Sequence, residues 1–338
     1  MTQALLYKPP EMPPDERRLL EDAAAWEWPQ AAGEISAGDL ARLAAVRGID
    51  FATSVLYDRL RRRSTTDNLM REDVPIESSP DLPPPRDALL AIVPGALYRE
   101  YPNTGADGKV IRDIAESLGW STELVPLPSD GPPEPNGEML LEWLECRADR
   151  PVLLLSLSKG GTDVKAAMTL AANPNAFRSV IGWIDFGGIL DGSPMASWVL
   201  QRRLARWFFR GLFRCTGHDF RMMTALLYRS GGPTSETLRL PEHLQTIHVA
   251  GFPLRRHLSN ARARRWHKRL SVWGPNDSVT ILADVASWPG TVWPVWGTDH
   301  YLQFRWQPVR LVTNLLRCVA QQAVGPPAGS QAPSLIQH

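Results

Sequence analysis

The chain has 338 residues, 37 Lys and Arg against 36 Asp and Glu, a net charge of +1 and 43% hydrophobic residues. That is apolar material for one large or two small domains, and it excludes a disordered chain or a collagen-like repeat. Three cysteines, Cys146, Cys215 and Cys318, exclude a disulfide scaffold, and their spacing suits neither a zinc knuckle nor a CxxC redox pair.

The first residues, MTQALLYKPPEMPPDERR, lack the basic region and apolar stretch of a secretory signal peptide. The longest apolar runs, 89–93 and 152–157, fall far short of the ~20 residues that span a bilayer, so no transmembrane segment is expected. A cytoplasmic protein is the expectation. Residues 1–85 hold proline clusters at both ends and helical patterns at Asp15 to Trp28, Ser36 to Val46 and 48–63. Ser36 and Asp39 have capping spacing. This stretch is expected to be an α-helical, proline-rich extension.

From Arg86 the pattern changes. DALLAIVPG reads as a buried strand ended by Pro-Gly. Val110 to Leu118 reads as a helix, Ser121 to Leu127 as a strand and Gly137 to Cys146 as a helix. Pro151 to Leu157 is a Leu/Val run typical of a central parallel strand. Lys159 to Ala172 is helical and Ser179 to Phe186 is a further strand. The alternation predicts an α/β fold with a mostly parallel central sheet flanked by helices. Residues 191–243 lack strand character. Thr246 to Phe252, Leu270 to Trp273 and Thr291 to Trp296 are expected strands, Gln307 to Gln321 a helix and 322–338 a flexible tail.

The sharpest local feature is PVLLLSLSKGGTDVKAAM. Ser158 stands between a buried strand and a helix, with small neighbours two positions away, Ser156 and Gly160. A strained strand–helix corner requires such neighbours. The simpler reading is a turn with a capping serine. Ser156 has the wrong register for a nucleophile, because Leu154 would occupy the small position before it. Asp277 lies in WGPNDSVTIL and His300 in TVWPVWGTDHY, after an expected strand. An ordinary turn aspartate and a structural histidine are the alternatives at those two positions.

In these motifs residues 86–321 resemble the α/β-hydrolase superfamily, and more loosely its bacterial lipase-like branch. The resemblance implies a triad in the order Ser158, Asp277, His300, with Asp185 as the rival acid. Ser278 departs from that pattern, which has glycine there. It also implies an oxyanion hole from the backbone N–H groups of Lys159 and Ala96, with Leu97 the alternative to Ala96. Pro94 has no N–H to give. Leu97, Tyr98 and Trp198 are expected near the substrate. The implied activity is hydrolysis of carboxylic esters through an acyl-enzyme, with no cofactor and no metal. Thioesterase, amidase or peptidase, and polyester depolymerase share that chemistry, and a non-catalytic scaffold that binds a ligand or partner is the alternative of another class.

The segment 191–243 occupies the place of a helical lid insertion. Within it, Arg202, Arg203, Arg206, Arg210 and Arg214 project onto one helical arc of about 120°. Leu200, Leu204, Trp207, Phe208 and Leu212 project opposite. Three readings follow: a helix packed on the core with a solvated arginine face, a lid that opens at lipid surfaces, or a partner-binding face. Residues 255–269 form a second basic cluster, read first as a solvated loop and otherwise as a stretch suited to anionic substrates such as carrier- or CoA-bound acyl groups. No nucleic-acid motif accompanies this charge, so nucleic acid is not an expected partner. Residues 1–40 hold three basic and eight acidic groups, whereas residues 198–270 hold fifteen and three. The two regions are therefore expected to attract each other or an anionic substrate.

Overall fold

Six strands form one sheet: β1 (Leu89–Val93), β2 (Ser121–Leu124), β3 (Val152–Leu157), β4 (Val180–Phe186), β5 (Gln245–Phe252) and β6 (Thr291–Trp296). Their order is β2-β1-β3-β4-β5-β6, and every neighbouring pair is parallel. The computed structural model describes residues 12–27, 36–64, 84–171, 173–228, 238–302 and 308–324. The proline-rich run at 75–85 lies mostly outside these residues, as does the tail from 325 onward.

Parallel strands need crossover connections, which place helices on both faces of the sheet. Leu90, Ile92, Leu153, Leu155, Ile184, Ile247 and Val249 point to one face, under α4 (Lys109–Ser117) and α12 (Pro308–Val324). The alternate residues Leu89, Ala91, Val93, Leu154 and Trp183 point to the other, under α5 (Pro133–Glu145) and α6 (Lys159–Leu170). Burial on both faces is why β1 and β3 read as unbroken apolar runs.

The N-terminal helices α1 (Pro14–Ala24), α2 (Ala37–Arg47) and α3 (Ile49–Ser64) complete the cover on the β6 side. Ser36 and Asp39 form a reciprocal capping box at the start of α2. Leu56, Tyr57 and Leu60 of α3 pack with Phe252 of β5 and Val292 of β6. The Tyr57 ring lies 4.8 Å from that of Trp296. Glu16 of α1 is fully buried. Its carboxylate accepts from Arg256 at 2.8 Å, His257 Nε2 at 3.2 Å and Trp296 Nε1 at 2.6 Å. His257 Nδ1 accepts from the Leu254 N–H, so Nε2 carries the ring proton.

Residues 191–228 are free of sheet strands and form α7 (Pro194–Gln201), α8 (Arg203–Thr216) and α9 (Arg221–Ala225). The strand expected at Leu270 to Trp273 is absent. Leu270 ends α10 (Ala261–Leu270), and Ser271–Trp273 is a 3-10 turn whose Val272 and Trp273 are exposed. Leu270 alone of this run is buried, so the run closes a helix and has no second face to give a sheet. β2 stops at Leu124, short of the expected Leu127, with Pro126 and Pro128 just beyond it. No helix among the described residues is long and apolar enough to cross a membrane.

Glu16→Ala removes the carboxylate that accepts from the buried N–H groups of Trp296 and His257. We expect it to lower unfolding free energy by roughly 3 kcal/mol, measured by urea denaturation. Unchanged stability would mean that α1 is not held by this carboxylate.

Candidate active site

Ser158 joins β3 to α6 with φ 51° and ψ −112°, a left-handed backbone that a serine rarely adopts. The strain costs about 1–2 kcal/mol and needs support from the surroundings. Ser158 N–H donates to Phe186 O at 2.9 Å, tying the corner to the end of β4. A Cβ at Gly160 would overlap the carbonyl oxygens of Val93 and Pro94, and one at Gly161 would overlap the Asp185 carboxylate. Gly160 is therefore required by close backbone approach, and Gly161 leaves room for the Asp185 side chain.

His300 lies four residues beyond β6, and its side chain is 5% exposed. Its Nε2 is 2.9 Å from Ser158 Oγ, and its Nδ1 is 3.0 Å from Asp277 Oδ2. A carboxylate only accepts, so Nδ1 carries the proton and the Nε2 lone pair faces the serine. Asp299 turns away: its carboxylate accepts from the N–H groups of Ser259 and Tyr301 at 2.9 and 3.1 Å, which fixes the loop.

Asp277 is fully buried. Its Oδ1 accepts from the N–H groups of Val279 at 2.9 Å and Thr280 at 2.6 Å. Burial pushes its carboxyl upward, but His300 and these two donors outweigh that and hold it below the usual range. Burial likewise pushes the His300 imidazole downward. Asp277 chiefly, with Asp299 and Asp185, more than offsets this and holds it above its ordinary value. Ser278, standing where the resembling motif has glycine, takes φ 84°, the region glycine enters freely. Its buried hydroxyl has no hydrogen-bond partner.

Asp185 is drawn into a different cluster. Its Oδ1 accepts from Ser156 Oγ at 2.6 Å and its Oδ2 lies 3.1 Å from His248 Nδ1. Ser156 Oγ also accepts from Trp183 Nε1 at 2.9 Å. His248 lies within β5 and follows no strand, so the pattern that singles out His300 does not mark it.

In the loop after β1, the Gly95 N–H donates to Ala106 O and the Leu97 N–H to Ser129 O, both at 2.8 Å. The Leu97 amide is thus engaged, while Ala96 lies between two anchored neighbours. Lys159 follows Ser158 directly, at the N-terminus of α6. Its side chain folds inward to a buried ion pair with Asp163 at 2.8 Å, and Asn136 Nδ2 donates to the same carboxylate. Burial pushes Asp163 up to about 6 and Lys159 down from its ordinary value.

A cavity of about 450 Å³ opens beside Ser158 and His300. Its walls come from the 103–111 segment, Leu157, Phe186, Tyr301 and Leu302 and are mostly apolar. Leu97, Tyr98 and Trp198 do not line it. The Tyr98 hydroxyl donates to Leu127 O at 3.0 Å. Trp198 stacks edge-on against Trp266 beneath the guanidinium groups of Arg202 and Arg269. The 103–111 loop carries no motif, so only the folded chain brings it to the serine. Among the described residues no cluster of His, Cys, Asp or Glu could hold a metal ion.

No family model and no curated protein matches the chain. Solved structures do. A metagenomic carboxyl esterase superposes with TM-score 0.51 at 20% identity, over 70% of this chain and 76% of that one. The mature form of a lipase from Bacillus licheniformis superposes with TM-score 0.52 at 20% identity, over 73% of this chain and 96% of that one. The chain has the α/β-hydrolase fold.

Ser278→Gly removes both a left-handed non-glycine residue and a buried unpaired hydroxyl. We expect it to raise stability by roughly 1 kcal/mol in urea denaturation. Equal or lower stability would count against strain at this loop.

Proposed function

We propose that the chain is a serine hydrolase acting on carboxylic esters, with Ser158 as nucleophile, His300 as base and Asp277 as orienting acid. The observation that carries this reading is the continuous hydrogen-bonded line from Ser158 Oγ through His300 to Asp277, at 2.9 and 3.0 Å. The esterase and lipase chemistry of the structural neighbours supports it.

His300 Nε2 takes the hydroxyl proton as Ser158 Oγ bonds to the acyl carbon. Asp277 stabilises the imidazolium that forms. The N–H groups of Ala96 and Lys159 are the proposed oxyanion donors, aided by the positive end of α6. His300 then protonates the leaving alcohol as its bond to the acyl carbon breaks. Water, deprotonated by His300, attacks the acyl carbon; the bond to Oγ then breaks, His300 returns the proton to Oγ, and the acid leaves with Ser158 regenerated. The cavity is near the lower end of ordinary ligand-site volumes, about 300–1,000 Å³, which favours compact acyl groups. Helices α7–α9 are the proposed lid: Phe213, Met222 and Leu226 pack with Ala96 and Val279 beside the site.

Thioester, amide and polyester cleavage would use the same groups. A fluorophosphonate probe should label Ser158, with the fold intact in Ser158→Ala and labelling lost. Unlabelled folded protein would favour a non-catalytic scaffold. A chain-length series of p-nitrophenyl esters should peak at short acyl groups. Asp277→Asn should lower kcat about 10⁴-fold.

The pH dependence follows from His300. Its neutral form is the base, and its raised pKa means that protonation begins at higher pH than for an ordinary imidazole. Activity should therefore fall as pH drops through a midpoint above the ordinary histidine value. The midpoint should move down in Asp277→Asn. A kcat/KM profile checks both, and a midpoint below the ordinary value would contradict the assignment.

A further inference from the structure

Helix α8, RLARWFFRGLFRCT, has three faces. At about 100° per residue, Ala205, Phe209 and Phe213 share the inward face. Phe209 and Phe213 pack with Ile189, Met222 and Val279. Arg203, Arg206, Arg210 and Arg214 form one edge. Leu204, Trp207, Phe208 and Leu212 form the outward face and are 86, 79, 61 and 44% exposed. A row of large apolar side chains in water is unusual for a surface helix and marks an interaction site.

The charge around this row has one sign. α8 contains no acidic residue, and none of its arginines has an acidic partner among the described residues. Of the acidic groups on the N-terminal helices, Asp15 and Glu16 pair with Arg256, Asp39 with Arg42 and Asp58 with Arg62. The second basic segment adjoins the first. Arg202 and Arg269 both lie over the Trp198 ring, at 4.3 and 4.5 Å, which brings the start of α8 beside α10.

We infer that α8 docks the protein on an anionic phospholipid surface, with Leu204, Trp207, Phe208 and Leu212 inserted and the arginine edge on the headgroups. Apolar side chains rich in Trp and Phe beside arginines suit the boundary between acyl chains and headgroups. A second copy of the chain is a poorer occupant, because pairing two such faces brings two arginine edges together. The packing of α8 on Val279, two residues from Asp277, sets this docking face next to the candidate active site.

The test is sedimentation of the full chain with large vesicles. Phosphatidylcholine with 30% phosphatidylglycerol should pellet the protein, and pure phosphatidylcholine should do so at least tenfold less well. Trp207→Ser with Phe208→Ser should abolish pelleting. Arg206→Gln with Arg210→Gln should weaken it at least tenfold, as should raised salt. All four side chains are exposed, and circular dichroism checks that each variant is folded. No binding to anionic vesicles overturns the proposal, as does equal binding by the variants or equal binding to neutral vesicles. A dimer that the Trp207 and Phe208 variants dissociate, with no vesicle binding, assigns the face to a second copy and also overturns it. The measurement reads binding and not turnover, so it stands or falls apart from the hydrolase assignment.

Discussion

The left-handed backbone at Ser158 is the constraint on which the rest of the site depends. An isolated serine would relax out of it, so the surrounding structure has to hold it from several sides. One support is steric: Gly160 lets the corner lie against the carbonyls of Val93 and Pro94. Another is the hydrogen bond from Ser158 N–H to Phe186 O. Two buried polar clusters brace the flanking elements. Ser156, Asp185, His248 and Trp183 tie β3, β4 and β5 together under the corner. Lys159, Asp163 and Asn136 tie α6 to α5 just after it. A satisfied buried network is rigid, and the Ser156, Asp185, His248 and Trp183 cluster puts that rigidity where the geometry of the serine is set.

The same logic explains the N-terminal helices. β5 and β6 carry His257 and His300 on the loops that follow them, so the side of the sheet that supports these strands must be covered. α3 supplies that cover through Leu56, Tyr57 and Leu60. α1 is held by Glu16, whose buried carboxylate gathers donors from Arg256, His257 and Trp296. The acidic N-terminal region and the basic 255–269 segment do meet, where Asp15 and Glu16 pair with Arg256, Glu16 also takes the His257 ring and Asp50 accepts from the Arg255 N–H. None of these contacts reaches the arginines of α8.

Much of this architecture was legible in the chain because both-face burial writes continuous apolar runs. β1, β3 and β4 lie where those runs are; Ser158 and His300 come just after β3 and β6, and Asp277 reaches His300 from the loop beyond α10. Leu270 to Trp273 misled because a short apolar run has no period of its own. The cavity walls at 103–111 were invisible because nothing local distinguishes a wall from any other loop. For α8 the arginine arc was readable, but the direction of the helix was not. Phe209 and Phe213, which blur the amphipathic pattern, are the residues that face inward, and the cleaner apolar row of Leu204, Trp207 and Phe208 faces water.

The electrostatics around His300 follow from which charges are neutralised locally. Asp277, Asp299 and Asp185 all favour its protonated form. The nearest buried cation, Lys159, is matched by Asp163, and burial shifts the two towards their neutral forms. A lysine next to Ser158 could otherwise have opposed an imidazolium; paired, it leaves the carboxylates dominant. An imidazolium formed during acyl transfer would therefore be stabilised by a field already in place, with no reorganisation needed at that moment. The raised resting pKa of His300 is the other consequence of that field, so its strength is bounded. A much stronger one would keep the ring protonated and remove the base that the proposed mechanism requires.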